Sequence, residues 1–177
     1  FGSLVVMPAI GNHDTPTVDS SHDHRSWLRY FALPSTTVDR GYFRFDFGPA
    51  AFYAMNSERP PELEPGGAQY RWLADQLAAR RRLLDVNAPP LWTFAYWHIP
   101  PFNAGVRHWR QQYSFRDAAG LFDDVVDWHF GGHEHLHQRM KPLREAGSEP
   151  QIVGRYGRGD AGGVGYLVVP ASGLANS

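Results

Sequence analysis

The sequence predicts an α/β domain, and three observations carry that expectation. Three apolar runs of strand length, Leu4 to Ile10, Leu91 to Trp97 and Val125 to Phe130, each lead into a polar turn. Two aromatic-rich segments, Gly41 to Phe47 and Ala51 to Asn56, flank Gly48-Pro49 as the arms of a β-hairpin do. After Gly66-Gly67, a segment reaching about Leu84 sets Tyr70, Leu73, Leu77 and Leu84 on one stripe, which is the period of a helix. Strand signals alternating with helix signals belong to layered α/β architecture.

The elements follow in chain order. Leu4 to Ile10 reads as a strand ending at Gly11. Thr15 to Arg40 is polar, with Asp19, Asp23 and Asp39, and reads as a long loop carrying a short helix near Trp27 to Phe31. The hairpin follows, with Phe43, Phe45 and Phe47 expected in the core. Arg80, Arg81 and Arg82 fall in the last turn of the long helix, where cations face the carbonyl end of the dipole and read as solvated. A shorter helix near Phe115 to Phe122 separates the second and third apolar runs, and Gln151 to Pro170 reads as two strands joined by Gly-rich turns.

Composition narrows the functional classes. A length of 177 residues allows one domain or a large part of one, and a formal net charge of -1 provides no general basic field for nucleic acid. No Cys is present, which excludes disulfides and thiolate metal sites without fixing the redox compartment. No apolar run approaches the roughly 20 residues of a membrane helix.

Chemistry concentrates at the ends of the three apolar runs. Gly11-Asn12-His13-Asp14 follows the first, Trp97-His98 before Pro100-Pro101 closes the second, and Gly132-His133-Glu134-His135 follows the third. Strand ends on one edge of an open sheet are where such folds place their sites. Neutral imidazoles and an amide oxygen suit zinc, iron or manganese, and a pair of such ions about 3.5–4 Å apart can bind both the attacking and leaving oxygens of a phosphoryl transfer. A water activated by the metals then serves as nucleophile, so no Ser or Cys is needed. In an extended Gly132 to His135, His133 and His135 would project to the same side and address two neighbouring ions.

The order and wording of these motifs resemble the calcineurin-like metallophosphoesterase superfamily, in which GNH[DE], a lone His and GHxH follow DxH and GDxxD. Gly132-His133-Glu134-His135-Leu136-His137-Gln138-Arg139-Met140-Lys141-Pro142 is similar to the GHxHxYERxxP stretch of the purple acid phosphatase-like branch, with His137 in place of Tyr. Tyr42 to Phe47, Asn56-Ser57-Glu58 and Gln69 to Leu73 also fall in that branch's order. The resemblance implies the C-terminal part of a four-layer αββα sandwich, with residues 1–177 as one portion of a single catalytic domain. It implies two metal ions (Fe, Zn or Mn), Asn12, His98 and His133 as ligands of one and His135 of the other. His13 would face the substrate rather than the metal. Asp14 would either hold the His13 tautomer or serve as a turn carboxylate.

Function follows as an expectation: a metal-dependent phosphomonoesterase acting on a small phosphoester. The alternatives are a phosphodiesterase, for example of a cyclic nucleotide, and a metal- or phosphate-binding module without turnover. DxH and GDxxD do not occur ahead of Gly11, so these residues taken alone are expected to be inactive. The other histidines read more plainly: His129 as a packed core ring, and His22, His24 and His108 as solvated loop residues, any of which could still reach a phosphate from the rim. His137 is open between the pocket mouth and the surface. Arg139 supports either the GHEH loop or substrate. His22, His24 and Asp160 are the stand-in ligands to consider should the chain suffice by itself.

Overall fold

Side-chain alternation along the central strands decides how this chain is layered. The computed structural model describes residues 6–14, 25–33, 41–106, 108–145, 147, 149–159 and 161–170. In chain order the elements are helix α1 (Arg25–Leu28), strands β1 (Phe43–Phe47) and β2 (Ala50–Ala54), and helices α2 (Pro60–Leu63) and α3 (Ala68–Asp85). Strand β3 (Trp92–Tyr96), a 3-10 turn (Gln111–Phe115) and helix α4 (Arg116–Ala119) come next. Strands β4 (Trp128–Gly131), β5 (Gln138–Arg139), β6 (Leu143–Arg144), β7 (Gln151–Ile152), β8 (Arg155–Tyr156), β9 (Gly162–Gly163) and β10 (Gly165–Val168) complete the chain.

Six strands form one mixed sheet in the order β1-β2-β3-β4-β10-β5. The inner strands β2, β3, β4 and β10 run parallel, while β1 and β5 pair antiparallel at the two edges. Tyr53 of β2, Ala95 of β3 and Tyr166 of β10 join the larger core, where they meet Leu73 and Leu77 of α3 together with Trp97, Phe115 and Phe122. The opposite face carries Phe45, Phe52, Phe94 and Phe130 in a row across β1 to β4, with successive ring centroids 4.8, 5.1 and 6.0 Å apart. Ile10, Trp27, Phe43 and Ala54 make a smaller core beside that row.

The α/β class, the hairpin and the long helix are as expected, and several details are corrected. Val6 to Ile10 is not a strand: Pro8 has no N–H to give a ladder, and the segment is tied to β3 by the Tyr96 hydroxyl donating to Met7 O at 2.8 Å. The third strand starts at Trp128 rather than Val125, because the N–H groups of Val125 and Val126 both turn back to Phe122 O. The expected helix at 115–122 is a 3-10 turn followed by four α-helical residues. The tail forms four short strands, not two. Phe47 is 70% exposed rather than core.

Arg80 is the largest departure. Instead of lying in solvent it is 1% exposed, with Nε donating to Thr93 Oγ1 at 2.9 Å. Thr93 N–H in turn donates to Asp127 Oδ2 at 2.8 Å, and Arg158 lies 3.5 Å from the other carboxylate oxygen. The two terminal nitrogens of Arg80 have no hydrogen-bond partner among the described residues, and desolvation holds its pKa below the ordinary value. The long loop from Thr15 to Arg40 lies largely outside the described residues, as do His22, His24 and Asp160.

His129 occupies the core as expected. It is 1% exposed, its ring centroid 4.2 Å from that of Trp97, and desolvation pushes its pKa down to about 3. The folded state therefore binds fewer protons than the unfolded chain between pH 6.5 and about 3. Its contribution is fully present above the unfolded value near 6.5 and is lost as pH falls through that window, by up to about 1.4 kcal/mol per pH unit. Denaturant midpoints measured at pH 7 and pH 4.5 should fall for the wild-type chain and fall distinctly less for His129→Phe. Equal acid sensitivity in the two would rule out His129 as the source.

Candidate metal and phosphoester site

The site is assembled by backbone turns at the exits of β3 and β4. His98 lies two residues past β3, and Gly132-His133 directly follows β4. The parallel pairing continues beyond the strands, with Trp97 N–H donating to Phe130 O at 3.2 Å and Gly132 N–H to His98 O at 2.8 Å. From the other side, Ser57 Oγ accepts Ile99 N–H at 3.0 Å. The Asn56 backbone before it is clasped by Gln69, whose amide accepts Asn56 N–H and donates to Asn56 O, both at 2.9 Å. Helix α3 thus fixes the chain leaving β2, and that chain fixes the residue after His98.

Two glycines make room for the His98 ring. A Cβ on Gly11 would lie 3.0 Å from His98 Nδ1, and one on Gly132 would lie 3.3 Å from the same atom. Close approach of both turns to one imidazole therefore depends on the missing side chains. The result brings Asn12 Oδ1 within 2.7 Å of His98 Nε2, and His133 Nδ1 within 3.1 Å of that same nitrogen.

Burial and the neighbouring rings disfavour the charged forms of His98 and His133. Burial lowers the His98 pKa to about 4, helped by the neighbouring His133, His13 and His135. His133 is also held below its ordinary value, by burial first and then by His108, with Glu134 opposing. With Nε2 protonated, His98 can share one N–H between Asn12 Oδ1 and an unprotonated His133 Nδ1. With all three atoms unprotonated, their lone pairs face one another and a cation could accept them. The neutral N and O donors suit zinc, iron or manganese, so the residues present fit part of a coordination shell. Among the described residues no three His, Asp or Glu side chains close on one point as a complete metal site.

The structure brings Asn12, His98 and His133 into direct contact, and His13 and His135 lie near enough to bear on His98 and His133 electrostatically. Asp14 accepts Gly11 N–H at 2.9 Å through Oδ2 while donating its own N–H to Gly11 O, so its carboxylate closes the turn that presents His13. His133 to His135 is not extended as expected. Glu134 N–H bonds back to Gly132 O at 2.7 Å with His133 at φ 65°, a γ-turn that swings Glu134 inward. His137 and Arg139 are exposed, and the Arg139 guanidinium lies 6.0 Å from the Tyr156 ring centroid.

The sequence singled out no role for Glu134, and gave His108 only as a loop residue within reach of the rim. His108 is not a free loop residue: its ring centroid is 4.4 Å from that of His133, and its Nδ1 is 3.2 Å from Glu134 Oε1. Glu134 is 3% exposed. The available signal was a carboxylate between two histidines, which has no reason to be there unless something pairs with it.

The chain belongs to the calcineurin-like phosphoesterase family, whose model matches residues 2–137. It groups with the purple acid phosphatase-like branch: it is 27% identical to Purple acid phosphatase 23 of Arabidopsis thaliana over 138 residues, covering 75% of this chain and 29% of that protein. Purple acid phosphatase 21 of the same plant is 28% identical over 152 residues, covering 81% and 33%. The chain therefore spans about a third or less of the length of these curated relatives. A purple acid phosphatase from yellow lupin (Lupinus luteus) seeds shares the fold, with a TM-score of 0.64 at 19% identity over 91% of this chain and 30% of that one.

Proposed function

We propose that this chain contributes part of the active site of a metal-dependent phosphoester hydrolase of the purple acid phosphatase type, acting on small phosphomonoesters. The observation that supports it most is the meeting of Asn12, His98 and His133 from three separate segments, at 2.7 and 3.1 Å about one imidazole nitrogen. Asn12, His98 and His133 would hold one metal and His135 a second beside it. When bound, such ions supply Lewis acidity toward the phosphoryl oxygens and acidify water.

The chain's own residues do the rest. The absence of side chains at Gly11 and Gly132 lets both turns close on the His98 ring. The turn closed by Asp14 presents the exposed His13 beside the cluster. There its imidazole can donate a hydrogen bond to a phosphoryl oxygen or a proton to the departing alkoxide.

Metal analysis of the full-length protein together with rates on p-nitrophenyl phosphate and its bis-ester tests this reading. The expected result is retained transition metal and faster turnover of the monoester. Bis-ester turnover exceeding that of the monoester would reassign the substrate class, and metal retention without turnover of either would leave a binding module.

A further inference from the structure

The Glu134 carboxylate is 3% exposed and lies in the wall of the pocket beside His133. A buried carboxylate is retained when something compensates it, and here the partner is His108, whose Nδ1 lies 3.2 Å from Oε1. The γ-turn at His133 directs Glu134 toward His108. Gly105 allows the facing loop to close over the carboxylate, because a Cβ there would sit 2.7 Å from Glu134 Oε2. That loop is itself held from the far side: Ala104 N–H donates to Gln138 Oε1 at 2.8 Å, and Asn103 N–H donates to Gln112 Oε1 at 3.0 Å.

We propose that Glu134 is a positioning residue for His108, receiving its Nδ1–H so that Nε2 is presented to the pocket beside His133. The pocket has a volume of about 160 Å³ and is lined by Val106, His108, His133, Glu134, His135 and Leu136. It contains two of the proposed metal ligands. A ring nitrogen on its wall is placed to meet an oxygen of a phosphoester held there, and fixing one nitrogen of a neutral imidazole fixes the tautomer and direction of the other. This assignment rests on the hydrolase reading for its catalytic consequence, but the hydrogen bond itself does not.

The test compares Glu134→Gln, which keeps an acceptor, with Glu134→Leu, which keeps bulk only, each alone and combined with His108→Ala in the full-length metal-loaded protein. Glu134→Leu should lower kcat/KM on p-nitrophenyl phosphate by roughly 10- to 100-fold, the scale of a misplaced contact group. Glu134→Gln should restore most of it, and the Glu134→Leu effect should vanish in the His108→Ala background. Nitrogen-15 NMR of the His108 ring should report the Nδ1–H tautomer in the wild type and a mixture in Glu134→Leu. An undiminished Glu134→Leu effect without His108, a Gln variant as poor as Leu, or an unchanged tautomer would each overturn the proposal. A wild-type protein that turns over neither ester would instead refute the hydrolase reading, with the tautomer measurement still deciding the pairing.

Discussion

Replacing His133 by alanine in the full-length protein should remove bound metal before it alters anything else. Its Nδ1 lies 3.1 Å from His98 Nε2, its Nε2 is buried without a hydrogen-bond partner among the described residues, and its ring packs between those of His98 and His108. Outer-sphere partners of metal ligands are worth roughly 10- to 100-fold in affinity, so loss of a direct ligand should exceed about 100-fold, and turnover should return in part at high added metal. The backbone at His133 has φ 65°, which favours Asn among non-glycine residues. His133→Asn is therefore the control that spares the turn. If metal content measured by mass spectrometry stays at the wild-type level in both variants, His133 is not a ligand.

How far the sequence carried this reading depends on the range of the interactions involved. Helix α3 was legible because Leu73 and Leu77 declare their period within one turn of each other. Arg80 on the same helix was misjudged because it is buried against β3, where Nε donates to Thr93 Oγ1, a contact between segments that only the folded sheet delivers. The meeting of Asn12, His98 and His133 was legible in part: each follows an apolar run, and His98 and His133 leave the parallel strands β3 and β4 on one edge, whereas Asn12 arrives from a segment that is not a strand. The start of β4 was not legible, since Val125 and Val126 have strand composition yet turn back on Phe122. His108 and Glu134 were invisible as a pair because neither has a local partner. Their meeting requires the loop after β3 and the turn after β4 to be packed together, with Gly105 between them.

His13→Ala should show the opposite signature to His133→Ala, with kcat reduced by roughly 10²–10⁴-fold and metal content close to wild type. His13 is exposed at the tip of the Gly11 turn, whereas its neighbour Asn12 reaches the His98 nitrogen at 2.7 Å. Two adjacent residues in one turn thus face different tasks, one toward the donor cluster and one toward whatever approaches it. The turn itself survives removal of the imidazole, because it is closed by Asp14 Oδ2 accepting Gly11 N–H and by Asp14 N–H donating to Gly11 O. A group acting only on the transition state should lower kcat and kcat/KM together. The loss should also shrink for esters with acidic leaving groups, whose alkoxides need no proton. A uniform loss across leaving groups, accompanied by loss of metal, would make His13 a ligand and would require Asn12 and His13 to exchange roles.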